Sequence, residues 1–270
     1  MAPAGDETLL QTQHHHATHG LVIDWDETIT VNDTLSLVAS QPLAPYTASY
    51  LDDYNQFALD HPRPTTIDEE RQWQRALAPI EAASIARLES GRALQWPRHP
   101  PEEPLPQLRP GFISAARKCN ALGVPLVILS LNWSSWWMKR SMNHYGIRIA
   151  DYITNEVDFA SGMFADAKWG KIHTGADKAR VMAQLNATSV KWSMVGDSRT
   201  DILAMIDANG GGIVIRDGAN DKVGSSAIKA LANLGVSVEK SEPIKGKVVW
   251  WTWQEIEAWI DSMPPQTKGL

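Results

Sequence analysis

Residues 21–30 read LVIDWDETIT. Leu21, Val22 and Ile23 form a short apolar run that ends abruptly in polar residues, the pattern of a parallel strand buried on both faces. Asp24 and Asp26 follow one residue apart, with Thr28 behind them. Three further apolar runs share this character: VPLVILS (124–130), VKWSMVGD (190–197) and GIVI (212–215). A helical pattern precedes each of these, amphipathic before the second and third runs and apolar before the fourth. Phe112, Ala116, Cys119 and Leu122 recur at helical spacing and stop at Gly123, DKARVMAQL (177–185) leads into the third run, and DILAMIDA (201–208) leads into the fourth. Strands alternating with helices predict an α/β fold: a Rossmann-like core with a central parallel sheet and helices on both faces.

Between the first and second runs the rhythm breaks. TTIDEERQWQRALAPIEAASIARLESG (65–91) opens with a capping box, Thr66 with Glu69, and sets Trp73, Leu77, Ile80 and Leu88 on one face. Pro79 is expected to kink this helix and Gly91 to end it. The proline-rich WPRHPPEEPLPQLRP (96–110) then reads as an extended linker. The division that follows is a flexible tail over 1–19, a core over 20–34 and 109–264, and a mainly helical insertion over 35–108 that serves as a cap. WWTWQEIEAWI (250–260) predicts a C-terminal helix docked by its apolar face.

In open parallel sheets, ligands bind outside the carboxyl ends of the strands. The polar residues expected there are Asp24, Asp26 and Thr28, then Ser130 and Asn132, then Asp197 and Asp201. Each carboxylate pair at ~4 Å repels by roughly 4 kcal/mol even at an effective dielectric of about 20, so a divalent cation is called for. An all-oxygen donor set without histidine or thiolate favours Mg2+.

These motifs resemble the haloacid dehalogenase superfamily of aspartate-nucleophile phosphatases. LVIDWDET matches its strand followed by D-x-D-x-T, VPLVILS its strand followed by Ser or Thr, and WSMVGDSRTD its strand followed by G-D-x-x-x-D. The helical segment after the first motif is similar to the cap of the phosphoserine-phosphatase-like branch. DWDETITVNDT and LSLNWS look like fungal hydrolases related to thiamine-monophosphate phosphatase domains.

The resemblance implies roles. Asp24 would be the nucleophile and Asp26 the acid/base, with Thr28, Ser130 and Lys178 holding the phosphoryl group. Asp24, the Asp26 carbonyl and Asp197 would ligate Mg2+, with Asp201 ligating or orienting. Lys178, at the start of the helix feeding the third run, is favoured for the family's lysine, and Lys171 is its rival. The implied activity is hydrolysis of a small organic phosphomonoester through an aspartyl-phosphate. A phosphotransferase or mutase would need the same residues. A silent binding module is disfavoured because all four aspartates are present.

Composition narrows the partners. A net charge of −6 argues against binding nucleic acid through its phosphates, and no run approaches the ~18 apolar residues of a membrane span. The N-terminal stretch lacks a signal-peptide pattern and Cys119 is the only cysteine, so a reducing, cytoplasmic setting is expected. His14, His15, His16 and His19 read as part of a solvated tail, and Cys119 as inert core. Oligomeric state is not legible. The 12 tryptophans read mostly as packing, with Trp25 the foremost exception. Trp25, Trp133 and Asn132 are the candidate substrate contacts, the two rings forming, with Trp136 and Trp137, a wall for an apolar or aromatic leaving group, thiamine-like or terpenyl.

Overall fold

The computed structural model describes residues 17–101, 104–218 and 222–263. The first element is β1 (His19–Ile23). The chain then leaves the core for α1 (Leu35–Val38), α2 (Ala44–Asp60) and α3 (Ile67–Ser90), and returns through α4 (Phe112–Leu122), β2 (Leu126–Leu129), α5 (Ser135–His144) and β3 (Asp151–Ile153). A small antiparallel hairpin follows, β4 (Glu156–Asp158) with β5 (Met163–Ala165). Then come α6 (Gly175–Asn186), β6 (Lys191–Gly196), a 3-10 turn (Arg199–Asp201) and α7 (Ile202–Asp207). The last elements are β7 (Gly212–Ile215), α8 (Ser225–Asn233), β8 (Val238–Glu239), β9 (Val248–Trp251) and α9 (Trp253–Ser262).

Seven strands pair in the order β3-β2-β1-β6-β7-β9-β8, every pair parallel. Alternation along the strands splits the core into two layers. Leu21, Ile23, Leu126 and Ile128 face α4, α5 and α9 through Phe112, Met138, Trp253 and Ile256. Val22, Val127, Leu129 and Met194 face α6, α7 and α8 through Val181, Met182, Met205 and Leu231. Both faces are covered, which is why these strands read as unbroken apolar runs.

Helices α2 and α3 form a hairpin closed by Phe57, Trp73 and Leu77. The capping box of α3 is present, and the helix continues through Pro79. Gly91 ends it with φ −79, while Arg92 takes the left-handed φ of 54. The glycine leaves room for the end of the Tyr46 side chain, whose hydroxyl would lie 2.0 Å from a Cβ there. Leu88, Leu94, Trp137 and Val157 share a third apolar cluster, which joins α3 to α5 and to the β4–β5 hairpin.

Two expectations are corrected. His19 is not tail but the first residue of β1, paired with Lys191; His14, His15 and His16 lie outside the described residues. Trp250 and Trp251 are not helical: they end β9 beside Val214 and Ile215, and α9 begins at Trp253 behind the Thr252–Glu255 capping box. The β4–β5 hairpin has no counterpart in the sequence reading, because strands of three residues are too short to show a period. Among the described residues, no helix is long and apolar enough to cross a membrane.

Candidate active site

Strand order reverses between β1 and β6, and this opens a crevice at their carboxyl ends. Ile23 pairs with Val195, and the Asp24 amide donates to the Val195 carbonyl at 2.9 Å. The loops carrying Asp24 and Asp197 therefore leave the sheet side by side. Gly196 is obligatory at this point, since a Cβ would lie 2.4 Å from the Asp201 carboxyl carbon.

Asp24, Asp197 and Asp201 each offer an oxygen within 4.8 Å of the others, and all three are buried. Lys178 reaches in from the first turn of α6, and its Nζ donates at 2.7 Å to both Asp24 Oδ1 and Asp201 Oδ1. The second oxygen of Asp201 accepts from the Ser198 amide and hydroxyl, so Asp201 orients Lys178 and the Asp197 loop. One ammonium faces three carboxylates. Burial pushes the Asp24 carboxyl well above its usual range; Lys178 opposes this, and Asp201 and Asp197 add to it. Burial, with Asp201, likewise takes Asp197 to about 7 against the Thr28 hydrogen bond. Burial by itself would lower the Lys178 ammonium, but Asp201 and Asp24 together raise it. Negative charge is in excess, and the donor set is all oxygen. The residues fit a hard divalent cation such as Mg2+.

Asp26 stands apart from this triad. Its Oδ1 accepts from the Thr34 amide at 2.7 Å and the Thr34 hydroxyl at 2.6 Å, and its Oδ2 accepts from Asn132 Nδ2 at 2.8 Å. Thr34 Oγ1 also receives Trp25 Nε1 at 2.9 Å and Asn132 Nδ2 at 3.1 Å. Burial and the nearby Asp33 raise Asp26 to about 6, against the hydrogen bonds from Thr34 and Asn132. A carboxyl near neutrality can both give and take a proton. Between Asp26 and Thr28, Glu27 holds a left-handed φ of 56, and its carbonyl accepts from Arg109 Nε at 2.6 Å. For a residue with a Cβ this is strained backbone, held in place here by the buried Arg109.

Several sequence assignments change. Trp25 does not line the cleft; it is fully buried in the core, where its indole N–H supports Thr34. Asn132 is not free for substrate either. Both protons of its amide go to Asp26 and Thr34, and its Oδ1 accepts from the Trp133 and Ser134 amides. The Thr28 hydroxyl donates to Asp197 Oδ1 at 2.9 Å, which makes Thr28 an anchor for Asp197. Ser130 is buried, and its Oγ accepts from the Asn132 amide, leaving its proton to donate. Lys178 is in the crevice, whereas Lys171 is exposed. Trp133 lines a cleft of about 470 Å³ between the helical hairpin and the core, together with Tyr46, Tyr50, Glu81, Leu131 and Thr200.

Sequence reasoning missed Thr34, Arg109 and the attachment of α3. Glu70 of α3 is buried and receives Arg199 Nε at 3.0 Å and Arg199 Nη2 at 2.6 Å, from inside the Asp197–Asp201 loop. Arg199 also lies over the Trp73 ring at 4.1 Å. Gln74 Oε1 accepts from the Gly175 amide at the start of α6, and Arg71 pairs with Asp207. The capping and hydrophobic pattern of α3 gives no hint of these partners.

The family model described as haloacid dehalogenase-like hydrolase matches residues 21–205. No functionally curated protein matches the chain in sequence. Among solved structures it is similar to a phospho-aspartyl intermediate analogue of phosphoserine phosphatase (12% identity, 90% of this chain and 99% of that one, TM-score 0.47). It is also similar to a phosphoserine phosphohydrolase-like protein from Francisella tularensis (14% identity, 91% and 100%, TM-score 0.48). A third is phosphoserine phosphatase from T. onnurineus in complex with NDSB-201 (12% identity, 97% and 100%, TM-score 0.46). Likenesses this distant say nothing about substrate.

Proposed function

Because the chain belongs to the haloacid dehalogenase-like hydrolases, we propose that it is a magnesium-dependent phosphatase that hydrolyses a small organic phosphomonoester through an aspartyl-phosphate at Asp24. The observation that carries this reading is the crevice itself: three buried carboxylates within 4.8 Å, and a buried lysine 2.7 Å from the candidate nucleophile.

Asp24 and Asp197 would hold the cation, with the Asp26 main-chain carbonyl contributing as the family resemblance implies. Bound there, Mg2+ would neutralise charge on the phosphoryl oxygens and return the Asp24 carboxyl to its ionised form. An Asp24 carboxylate oxygen attacks phosphorus, a P–O bond forms, and the bond to the leaving oxygen breaks. Asp26 gives its proton to that oxygen, so the alcohol departs neutral. Asp26, now ionised, takes a proton from the water that attacks phosphorus, and phosphate leaves with Asp24 restored. Lys178 and the free Ser130 proton hold phosphoryl oxygens as charge shifts during transfer. The helical hairpin over the cleft acts as the cap, limiting water and selecting the alcohol. Trp133 in the cleft wall supports a leaving group with apolar or aromatic surface.

The test is turnover of p-nitrophenyl phosphate with magnesium and with chelator. Magnesium-dependent release of phosphate is expected. Absence of metal-dependent turnover on this and a broad phosphate panel would overturn the proposal.

A further inference from the structure

The charge of the cleft is lopsided. Tyr46 and Tyr50 of α2 face it, as do Glu81 and Ile85 of α3, with Trp133 opposite on the core side. Among the described residues lining it are the acids Asp33 and Glu81, but no lysine or arginine; its one basic side chain is His173, whose imidazole burial holds below its usual range. Glu81 Oε1 accepts from the Tyr50 hydroxyl at 2.7 Å, and no ion pair to Glu81 forms among the described residues. Burial raises the Glu81 carboxyl, with only the Tyr50 hydrogen bond opposing it. The Tyr50 hydroxyl is itself pushed up, by burial and by Glu81, so it stays a donor.

A half-buried carboxylate facing an aromatic cleft without a counter-charge is stabilised when a ligand brings the cation. A carboxylate or second phosphate on the leaving group would meet repulsion there instead. Neutral apolar groups would fill the space but leave the desolvated Glu81 without a counter-charge.

We infer that the leaving group is an organic cation, a quaternary ammonium or cationic heteroaromatic ring, selected by the Glu81–Tyr50 pair with the rings of Tyr46 and Trp133 against its apolar body. This rests on the phosphatase reading and specifies its substrate class. It also separates the chain from enzymes acting on a phosphorylated amino acid, whose carboxylate would need a basic partner in the cleft.

The experiment compares kcat/KM for phosphocholine and thiamine monophosphate with that for isopentenyl monophosphate and O-phosphoserine, in the wild type, Glu81→Gln and Tyr50→Phe. The cationic esters are expected to be preferred, with O-phosphoserine the poorest. Glu81→Gln keeps the shape and the Tyr50 hydrogen bond, and should lower the cationic-to-neutral ratio roughly ten- to a hundredfold, as loss of a desolvated charge contact does. Tyr50→Phe should lower it less. Titration calorimetry with free thiamine and choline keeps the inference decidable without turnover: binding to the wild type, weakened in Glu81→Gln, supports it. Equal or better use of isopentenyl monophosphate by the wild type, a ratio untouched by Glu81→Gln, or no binding of either free cation would overturn it. Failure of the phosphatase reading shows differently, as absence of aryl phosphate turnover.

Discussion

Thr34 sets the environment of Asp26, the proposed acid/base residue. Its hydroxyl and amide both donate to Asp26, and the hydroxyl in turn receives Trp25 and Asn132. These bonds stabilise the charged carboxylate and restrain the rise that burial imposes on Asp26. Thr34→Val removes the hydroxyl at constant volume. Asp26 should then titrate higher than about 6, shifting upward the alkaline limb of kcat/KM, where it acts as the acid, and the acidic limb of intermediate hydrolysis, where it acts as the base, while Thr34→Ser restores both. Two buried donors lose an acceptor, so a stability cost of about 1–3 kcal/mol each is expected. Unmoved limbs in folded Thr34→Val would separate Thr34 from the chemistry. Asp24→Asn should keep the fold and abolish turnover, because uncatalysed phosphomonoester hydrolysis is so slow that enzymes accelerate it up to ~10²¹-fold. Asp24 and Asp197 are legible in sequence because each directly follows an apolar strand, and Asp26 and Asp201 by their spacing from them. Thr34 is not, because nothing in DWDETITVNDT distinguishes one threonine from the next until the loop folds back on Asp26. Trp25 misleads for a related reason: it sits between Asp24 and Asp26, yet its side chain turns into the core.

At the scale of elements, α3 is tied to the Asp197–Asp201 turn. Arg199 belongs to the Asp197–Asp201 turn, but its partner is Glu70, 129 residues away and almost wholly buried. A local pattern cannot reveal such a pair, whereas the capping box and apolar face of α3 were visible because they are local. Arg199→Ala would leave Glu70 buried without a counter-charge, a change that typically costs about 3–5 kcal/mol. Adding Glu70→Gln should recover part of this loss, measured as denaturation midpoints across the double-mutant cycle. If the two substitutions prove additive, the pair does not couple the hairpin to the loop. The β4–β5 hairpin escaped notice in the sequence for want of length, and Trp250 and Trp251 read as helix because a tryptophan-rich run continues straight into α9. Pairing with β7 settles them as strand.

For the whole molecule, excess negative charge in the crevice links metal, pH and stability. In the metal-free protein Asp197 titrates near 7 and Asp24 is also raised, so between the usual carboxylate range and about 7 the folded state holds protons that the unfolded chain has lost. Stability therefore falls as pH rises through that window and is lowest above it. Magnesium should raise the melting temperature more at a pH of about 8 than at about 5.5, since at the lower pH it competes with bound protons. A thermal shift that is equal at the two pH values, or larger at the acidic one, would contradict the site's electrostatics.

The central claim is that Asp24 becomes phosphorylated. The most direct measurement uses Asp26→Asn turning over p-nitrophenyl phosphate, a substrate whose good leaving group needs little protonation while hydrolysis of the intermediate still needs the base. The reaction is quenched in acid and the protein reduced with borohydride, which converts an aspartyl-phosphate to homoserine, and the position is read by peptide mass spectrometry. A burst of nitrophenol with homoserine at residue 24 is the predicted result; a label at any other residue, or turnover persisting in folded Asp24→Asn, would contradict the account.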